Sequence, residues 1–531
     1  MQFITRSLLL LFLLYGVVFA IGDAYLLHSG GPIWLAIAFP IVWIGLQYLL
    51  APVLIELILD ICWDDEGILL PARNREFVEK LCMERGLKVP RIGIIQSGTP
   101  NAFSFGRLHS DARVVVTSGL LGILSPEECN AVLAHEIGHI EHYDFAVMTL
   151  AALAPMLLYQ LYVVTERISS FRFIAYTAYL CYLLSQFVVL MLNRTREYFA
   201  DHYAAEVTHS PDELSSALIK IAHGMVRADG EYRKAKQLGN KNEKSYWGRE
   251  RRLGGTIALM GISNLHSGAS LALGANPTDA AAVMRWDLVN PWARFYELNS
   301  THPLTALRVR ELSRQGSAMQ QETRYALPQE HQQIRWGMFP LELIVWALPL
   351  VCIWALLTMH WFPGVLEYLG ITSLKNASPV LLMLAGFTWI LKVAYRYRGR
   401  FQESTVGALL KDLDVSQMRP RAVQLTGKVL GRGEPGNFWS PDLVLRDDTG
   451  IMFLLYRQSI PFSRFMFGTS EAEGYIGQEV IVEGWFRRGM TPYVEMAKIT
   501  NGYNVHRMYS RWIQIALALA AMVAGWYWLQ Y

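Results

Sequence analysis

His135-Glu136-Ile137-Gly138-His139 is the stretch of this chain whose residue types and spacing could do chemistry. Residues four apart on an α-helix share one face, about 6 Å apart along the axis, so both imidazoles can reach one ion. A glutamate between them can act on a water that the ion activates. Histidines with a nearby acid suit zinc, and zinc with one open position is the apparatus of peptide hydrolysis. The motif needs a helix, and the flanking residues predict one. Ser125 is placed as N-cap, Pro126 as first helical residue and Glu128 as the closing member of a capping box. Val132, Leu133, Ile137 and Ile140 continue at helical spacing.

A zinc hydrolase needs a third protein ligand. His142 lies three residues beyond His139, about 4.5 Å up the axis, and should face away. A carboxylate from another helix is the better candidate. Glu197 stands out because Asp201 follows it by four residues on the same face, so Glu197 could ligate while Asp201 steadies a ligand histidine. Spacing alone equally allows a plain interfacial charge pattern with Arg194 and Arg196. No cysteine or serine is placed to form an acyl-enzyme. The five cysteines (Cys62, Cys82, Cys129, Cys181, Cys352) are scattered and form no C-x-x-C pair, so they read as reduced packing residues.

Ala131 to His139 (AVLAHEIGH), Arg196 to Asp201 (REYFAD) and Ser300 to Pro303 (STHP) occur in this order, with Pro100 to Phe103 (PNAF) and Thr117 to Leu121 (TSGLL) before or around them. This set resembles the HtpX and CAAX prenyl protease family of integral-membrane zinc metallopeptidases, over about residues 30–315. The resemblance implies one zinc held by His135, His139 and Glu197, with Glu136 as base. It also implies Asp201 behind the ligands, His302 as donor to the oxyanion, and Asn101 and Ala102 as binders of substrate backbone by strand addition.

These residues must be positioned by a largely apolar chain. Of its 531 residues 52% are hydrophobic, which points to several membrane spans, and a net charge of +3 does not suggest nucleic acid as the main partner. Seven apolar stretches could cross a bilayer: 7–27, 33–53, 145–164, 173–192, 341–361, 378–395 and 512–528. The first also resembles a signal peptide with a cleavage site after Ala20, and an uncleaved anchor is the preferred reading. Arg194 and Arg196 after the fourth span, and Arg396, Arg398 and Arg400 after the sixth, mark cytoplasmic ends, whereas the connector 27–32 has no Lys or Arg. The two arginines in 166–172 argue weakly the other way.

The expected fold is therefore α+β: a polytopic α-helical membrane protein with a cytoplasmic metalloprotease domain and a small OB-like β-barrel. The expected segments are two spans in 1–58, the first part of the protease domain in 59–144, two spans in 145–192, its second part in 193–340, two spans in 341–395, the barrel in 403–507 and a last span in 511–530. A stretch rich in Lys, Arg, Gly and Asn, 229–252, reads as a solvated loop. Five strands between Val423 and Tyr503 suggest the barrel. Phe438, Trp439, Trp485, Arg487 and Arg488 could form an exposed binding face on it. A structural or substrate-presenting module beside the membrane is the preferred reading. Expected function is zinc-dependent endopeptidase activity on protein or peptide substrates, with quality control of membrane proteins in a prokaryotic plasma membrane as the leading role. Trimming of prenylated C-termini is the alternative. An inactive membrane scaffold is disfavoured because every expected residue is present.

Overall fold

A computed structural model describes residues 33–98, 100–166, 172–221, 277–325, 327, 334–361, 378–432, 440–458, 461–489, 491–502 and 504–530. The expected span at 7–27, the loop 229–252, and Phe438 and Trp439 lie outside the described residues. The chain divides into two compact units: residues 1–284 with 295–331, and residues 285–294 with 332–531.

In the first unit, α1 (Ile33–Ile58) leads to a four-stranded sheet. Its strands are β1 (Cys62–Trp63), β2 (Arg91–Ile95), β3 (Ala102–Phe105) and β4 (Arg113–Thr117), in the order β1-β2-β4-β3. β2 and β4 run parallel, and β3 pairs antiparallel with β4 and forms an edge. Period-2 alternation assigns the two faces. Ile92, Ile94, Ala102, Val114 and Val116 join the core built on α2 (Ala72–Glu84) and the helix Pro126–Glu141, whereas Ile95, Phe103, Phe105 and Val115 pack with Leu59 and Ile55.

The short helix α3 (Ser118–Ile123), capped by Thr117, precedes α4 (Pro126–Glu141). Both arms of the α4 capping box form: the Glu128 N–H donates to Ser125 Oγ at 3.2 Å and the Ser125 N–H to Glu128 Oε2 at 2.8 Å. Every residue from Ala131 to Ile140 is buried, so the H-E-x-x-H motif lies on a core helix. Tyr143, at φ 56°, breaks α4 from α5 (Asp144–Glu166). Next comes α6 (Arg172–Thr208), a single 37-residue helix. It carries no glycine or proline, so nothing interrupts it between its apolar half and Glu197. Gly138 lets α4 and α6 approach closely, because a Cβ there would lie 3.0 Å from the Tyr203 ring. Finally, α7 (Thr305–Ala318) contributes a buried arginine, Arg308.

In the second unit, α8 (Phe339–Trp361), α9 (Ser378–Arg396) and α10 (Ser510–Gln530) are the apolar helices. Glycines again set the packing: a Cβ on Gly386 would lie 2.5 Å from the Ala518 carbonyl, and one on Gly525 2.7 Å from that of Pro379. Between α9 and α10 lie β5 (Arg421–Arg432), β6 (Leu443–Asp447), β7 (Gly450–Leu455), β8 (Glu479–Arg488) and β9 (Pro492–Asn501). The pairing β5-β6-β7-β9-β8 returns to β5 and closes a five-stranded barrel, antiparallel except for β7 with β9. A helical stretch, 461–475, separates β7 from β8. The short β10 (Asn504–Arg507) adds to β9 outside the ring.

Trp485, Arg487 and Arg488 do not form an exposed face; all three are buried. The last residue of α9 and the chain between α9 and β5 cover this end of β8, where Arg487 donates to the carbonyls of Arg396 at 2.6 Å and Gln417 at 3.1 Å, and Arg488 to that of Leu410. Across the described residues, six helices are long and apolar enough to cross a membrane: Ala38–Ile58, Asp144–Glu166, Phe173–Thr208, Phe339–Leu357, Ser378–Arg396 and Ser510–Gln530.

Candidate metal centre

Helices α4 and α6 bring His135, His139 and Glu197 together, all buried, with one potential ligand atom of each within 4.8 Å of the others. The two Nε2 atoms lie 3.1 Å apart. Glu197 Oε1 is 3.6 Å from His139 Nε2, and Oε2 is 3.7 Å from His135 Nε2.

Each histidine has a carboxylate behind it. Asp201 Oδ1 is 3.0 Å from His135 Nδ1, and Asp144 Oδ2 is 2.6 Å from His139 Nδ1. Carboxylates there favour the proton on Nδ1 of both rings. The two Nε2 lone pairs then face each other at 3.1 Å, which is repulsive unless a cation stands between them. A tetrahedral zinc with bonds of about 2.0–2.1 Å separates its donors by about 3.3–3.4 Å. The observed 3.1, 3.6 and 3.7 Å bracket that spacing, so the donor set fits a zinc ion.

A second layer fixes the carboxylates. Arg308 grips Asp201 bidentately, Nε to Oδ2 at 2.8 Å and Nη2 to Oδ1 at 2.6 Å, and its Nη1 lies 3.3 Å from Glu197 Oε2. Burial alone would lower the Arg308 pKa, but Asp201 and Glu197 hold it above the usual arginine value. Arg196 Nε lies 3.2 Å from Asp144 Oδ2. Arg194 is directed elsewhere, to the backbone carbonyls of Glu297 and Ser300.

Glu136, buried between the histidines, accepts a 2.8 Å hydrogen bond from Ser104 Oγ of β3. His302 Nδ1 sits 3.2 Å from Glu197 Oε2. The His142 ring packs beside Phe199 and Tyr203. Asn101 is buried, and its backbone is taken up by Thr117: its N–H donates to Thr117 Oγ1 at 2.9 Å and its carbonyl accepts from the Thr117 N–H at 3.0 Å. The Ala102 N–H donates to Asn101 Oδ1 at 3.0 Å.

Sequence reasoning missed Asp144, Ser104, Arg196 and Arg308 as parts of this cluster. Arg308 carried a signal: it falls with Thr305 and Leu312 on the apolar stripe of α7, where an arginine must find buried carboxylates. Asp144 follows His139 by five residues across a break in the helix, and Ser104 reaches Glu136 from a strand 32 residues earlier, so no local pattern announces either.

Comparison with known proteins bears on this geometry. Residues 72–315 match the model of Peptidase family M48. A "Protease HtpX homolog" of Methanothermobacter thermautotrophicus is 37% identical over 218 residues, 40% of this chain and 82% of the relative. A "Protease HtpX homolog 2" of Methanosarcina acetivorans is 31% identical over 243 residues, 43% of this chain and 80% of the relative. The crystal structure of S. mikatae Ste24p aligns with 59% of this chain and 65% of its own, at 19% identity and a TM-score of 0.37. Six apolar helices, a buried His-His-Glu group and a relative matched over most of its length lead to one conclusion. The chain belongs to Peptidase family M48 with the HtpX proteases and is a multi-pass membrane metallopeptidase.

Proposed function

We propose that His135, His139 and Glu197 hold one catalytic zinc ion and that the protein is an endopeptidase acting on other membrane proteins in quality control. The observation that carries this reading is the convergence of two Nε2 lone pairs and one buried carboxylate, each histidine backed by its own aspartate. Bound there, zinc would supply a Lewis acid that acidifies a water and polarises a scissile carbonyl. Glu136 takes the proton of the attacking water and passes it to the leaving amine. With His302 Nδ1 turned to Glu197, its Nε2 is the ring nitrogen left to donate to the developing oxyanion. Asp201 and Asp144 keep both imidazoles in one tautomer, and Arg308 keeps Asp201 ionised.

An extended substrate would add to the edge strand β3. Antiparallel pairing alternates, and since Asn101 faces Thr117, the backbone of Ala102 and Ser104 faces the free edge. Asn101 then acts through its side chain, which occupies the Ala102 N–H, and Ser104 joins the edge in its place. This division supports strand addition one residue further along than Asn101.

The active site faces the cytoplasm in this reading. Support comes from Arg194 and Arg196 at the end of the apolar half of α6 and from Arg396, Arg398 and Arg400 after α9. A cysteine introduced at Arg400 should be shielded from an impermeant thiol reagent applied to whole cells, and labelling there would reverse the orientation. The closed ring β5-β6-β7-β9-β8, with a helical stretch between β7 and β8, supports an OB-like barrel. Solubilised protein should cleave casein and leave the C-terminus of a farnesylated peptide intact. Trimming of the farnesylated peptide without casein cleavage would replace quality control by prenyl-protein processing.

A further inference from the structure

A cavity of about 220 Å³ lies within the second unit, where the barrel joins α9 and α10. α9 ends at Arg396 and α10 begins at Ser510, so both apolar helices leave the barrel from this point, and the cavity sits at the level of the membrane interface. Phe401, Trp485 and Met508 line it, and Trp512, 63% exposed, stands at its rim.

Charge in this place is unbalanced. Glu495 is the one carboxylate lining the cavity among the described residues. It is already occupied: Arg487 Nε donates to it at 2.9 Å, Arg396 Nη2 at 3.4 Å, and the Tyr397 hydroxyl also binds it. Arg511 lines the same cavity as a further cation, while Glu495 is engaged from behind by Arg487, Arg396 and Tyr397. The buried Nε groups of Arg396 and Arg511 find no acceptor among the described residues. Burial pulls the Arg487 pKa below its usual value, and although Glu495 raises it, the neighbouring Arg396 lowers it further. A guanidinium, that of Arg511, in an aromatic-walled cavity at a bilayer surface whose lining carboxylate is already engaged calls for an acidic oxygen carried on an apolar stem.

We propose that this cavity binds the headgroup of an anionic glycerophospholipid. Its phosphodiester would meet Arg511, with Arg396 behind it, and its glycerol and first acyl carbons would lie against Phe401, Trp485 and Trp512. A free anion would use the guanidiniums and leave the aromatic wall unused, whereas a zwitterionic lipid would bring its own cation into an already cationic site.

The test is native mass spectrometry of the full chain in detergent, titrated with dioctanoyl phosphatidylglycerol, dioctanoyl phosphatidylcholine or inorganic phosphate. Phosphatidylglycerol should bind at least about tenfold more tightly than phosphatidylcholine, a difference of about 1.4 kcal/mol. Arg511→Ala should erase that preference, and Arg511→Lys should keep most of it. Trp512→Ala, a change at an exposed position, should weaken both lipids severalfold and leave their ratio unchanged. Equal affinity for the two lipids would overturn the proposal, as would wild-type preference in Arg511→Ala. Displacement of phosphatidylglycerol by millimolar phosphate would make this a plain anion site and equally overturn it. If Arg511→Ala does not fold, the Lys and Trp512 variants decide.

Discussion

Replacing Arg308 by methionine tests the layer behind the metal centre. Arg308 is 2% exposed and serves two buried carboxylates, Asp201 bidentately and Glu197 through Nη1. Methionine fills much of the same volume, so the loss is chiefly electrostatic. Removing one partner of a buried ion pair costs about 3–5 kcal/mol, because the remaining charge stays out of water. Each kcal/mol moves the unfolding midpoint of a fold of roughly 150–250 residues by about 2–4 °C, and that of the larger first unit by about 2 °C or less. The expected drop is therefore up to about 10 °C. Zinc content should fall as well, since Asp201 would no longer be held against His135 Nδ1. Arg308→Lys should recover part of the loss, a point charge replacing a fork. Adding Asp201→Asn to Arg308→Met should also recover part of the stability, because it removes the stranded charge. The assay is thermal unfolding in detergent with metal analysis of the same samples. A methionine variant within 2 °C of the parent and fully metallated would refute the claim that Arg308 organises the site.

Further expectations concern α4 and the cysteines. Gly138→Ala should destabilise by about 1–3 kcal/mol and weaken zinc retention, because the added methyl pushes Tyr203 and α6 away from α4; unchanged unfolding and metal content would show that the contact relaxes freely. Burial raises the pKa of Glu128, but Lys220, Ser216 and the Ser125 N–H together hold it below its usual 4.5. A carboxylate depressed in the fold contributes stability above pH 4.5 that is lost as the pH falls through its folded value. The stability gap between wild type and Glu128→Gln should accordingly be full near neutrality and shrink as the pH drops below 4.5, and a gap that is constant or widens in acid would contradict the assignment. Burial pushes the Cys82 thiol up to about 11 and the Cys129 thiol up to about 12, while Cys62 is exposed. A maleimide on folded protein should modify Cys62 and spare the other two, and modification of Cys129 before unfolding would show that the α4 core opens.

Local signals carried much of this architecture into the sequence. Ser125, Pro126 and Glu128 announce α4 by the chemistry of helix ends, and they cap it as that chemistry requires. The β-branched run Val114-Val115-Val116 and the glycines and Asp-Asp-Thr-Gly turn of the barrel are likewise local, and both segments are strands. Trp485, Arg487 and Arg488 misled because an aromatic beside two arginines looks like a binding face; only the tertiary fold shows the carbonyls of Arg396, Leu410 and Gln417 waiting for those guanidiniums. The site divides in the same way. Helical periodicity joins His135 to His139, and Glu197 to Asp201, but the meeting of the two pairs depends on α4 packing on α6 at Gly138. Ser104, Asp144 and Arg308 enter through contacts across a strand edge, a helix break and a third helix, where no short-range pattern exists.

The central claim is that His135, His139 and Glu197 hold a zinc ion and that Glu136 moves the proton. Metal content and casein cleavage, measured together on purified wild type, Glu197→Ala and Glu136→Gln, test it most directly. The wild type should carry about one zinc per chain and cleave casein, and Glu197→Ala should lose most of the metal. Glu136→Gln should keep the zinc while its cleavage rate falls on the order of 10²–10⁴-fold or more, because the amide cannot accept a proton. Full zinc in Glu197→Ala, or cleavage by Glu136→Gln within a few-fold of wild type, would contradict the account.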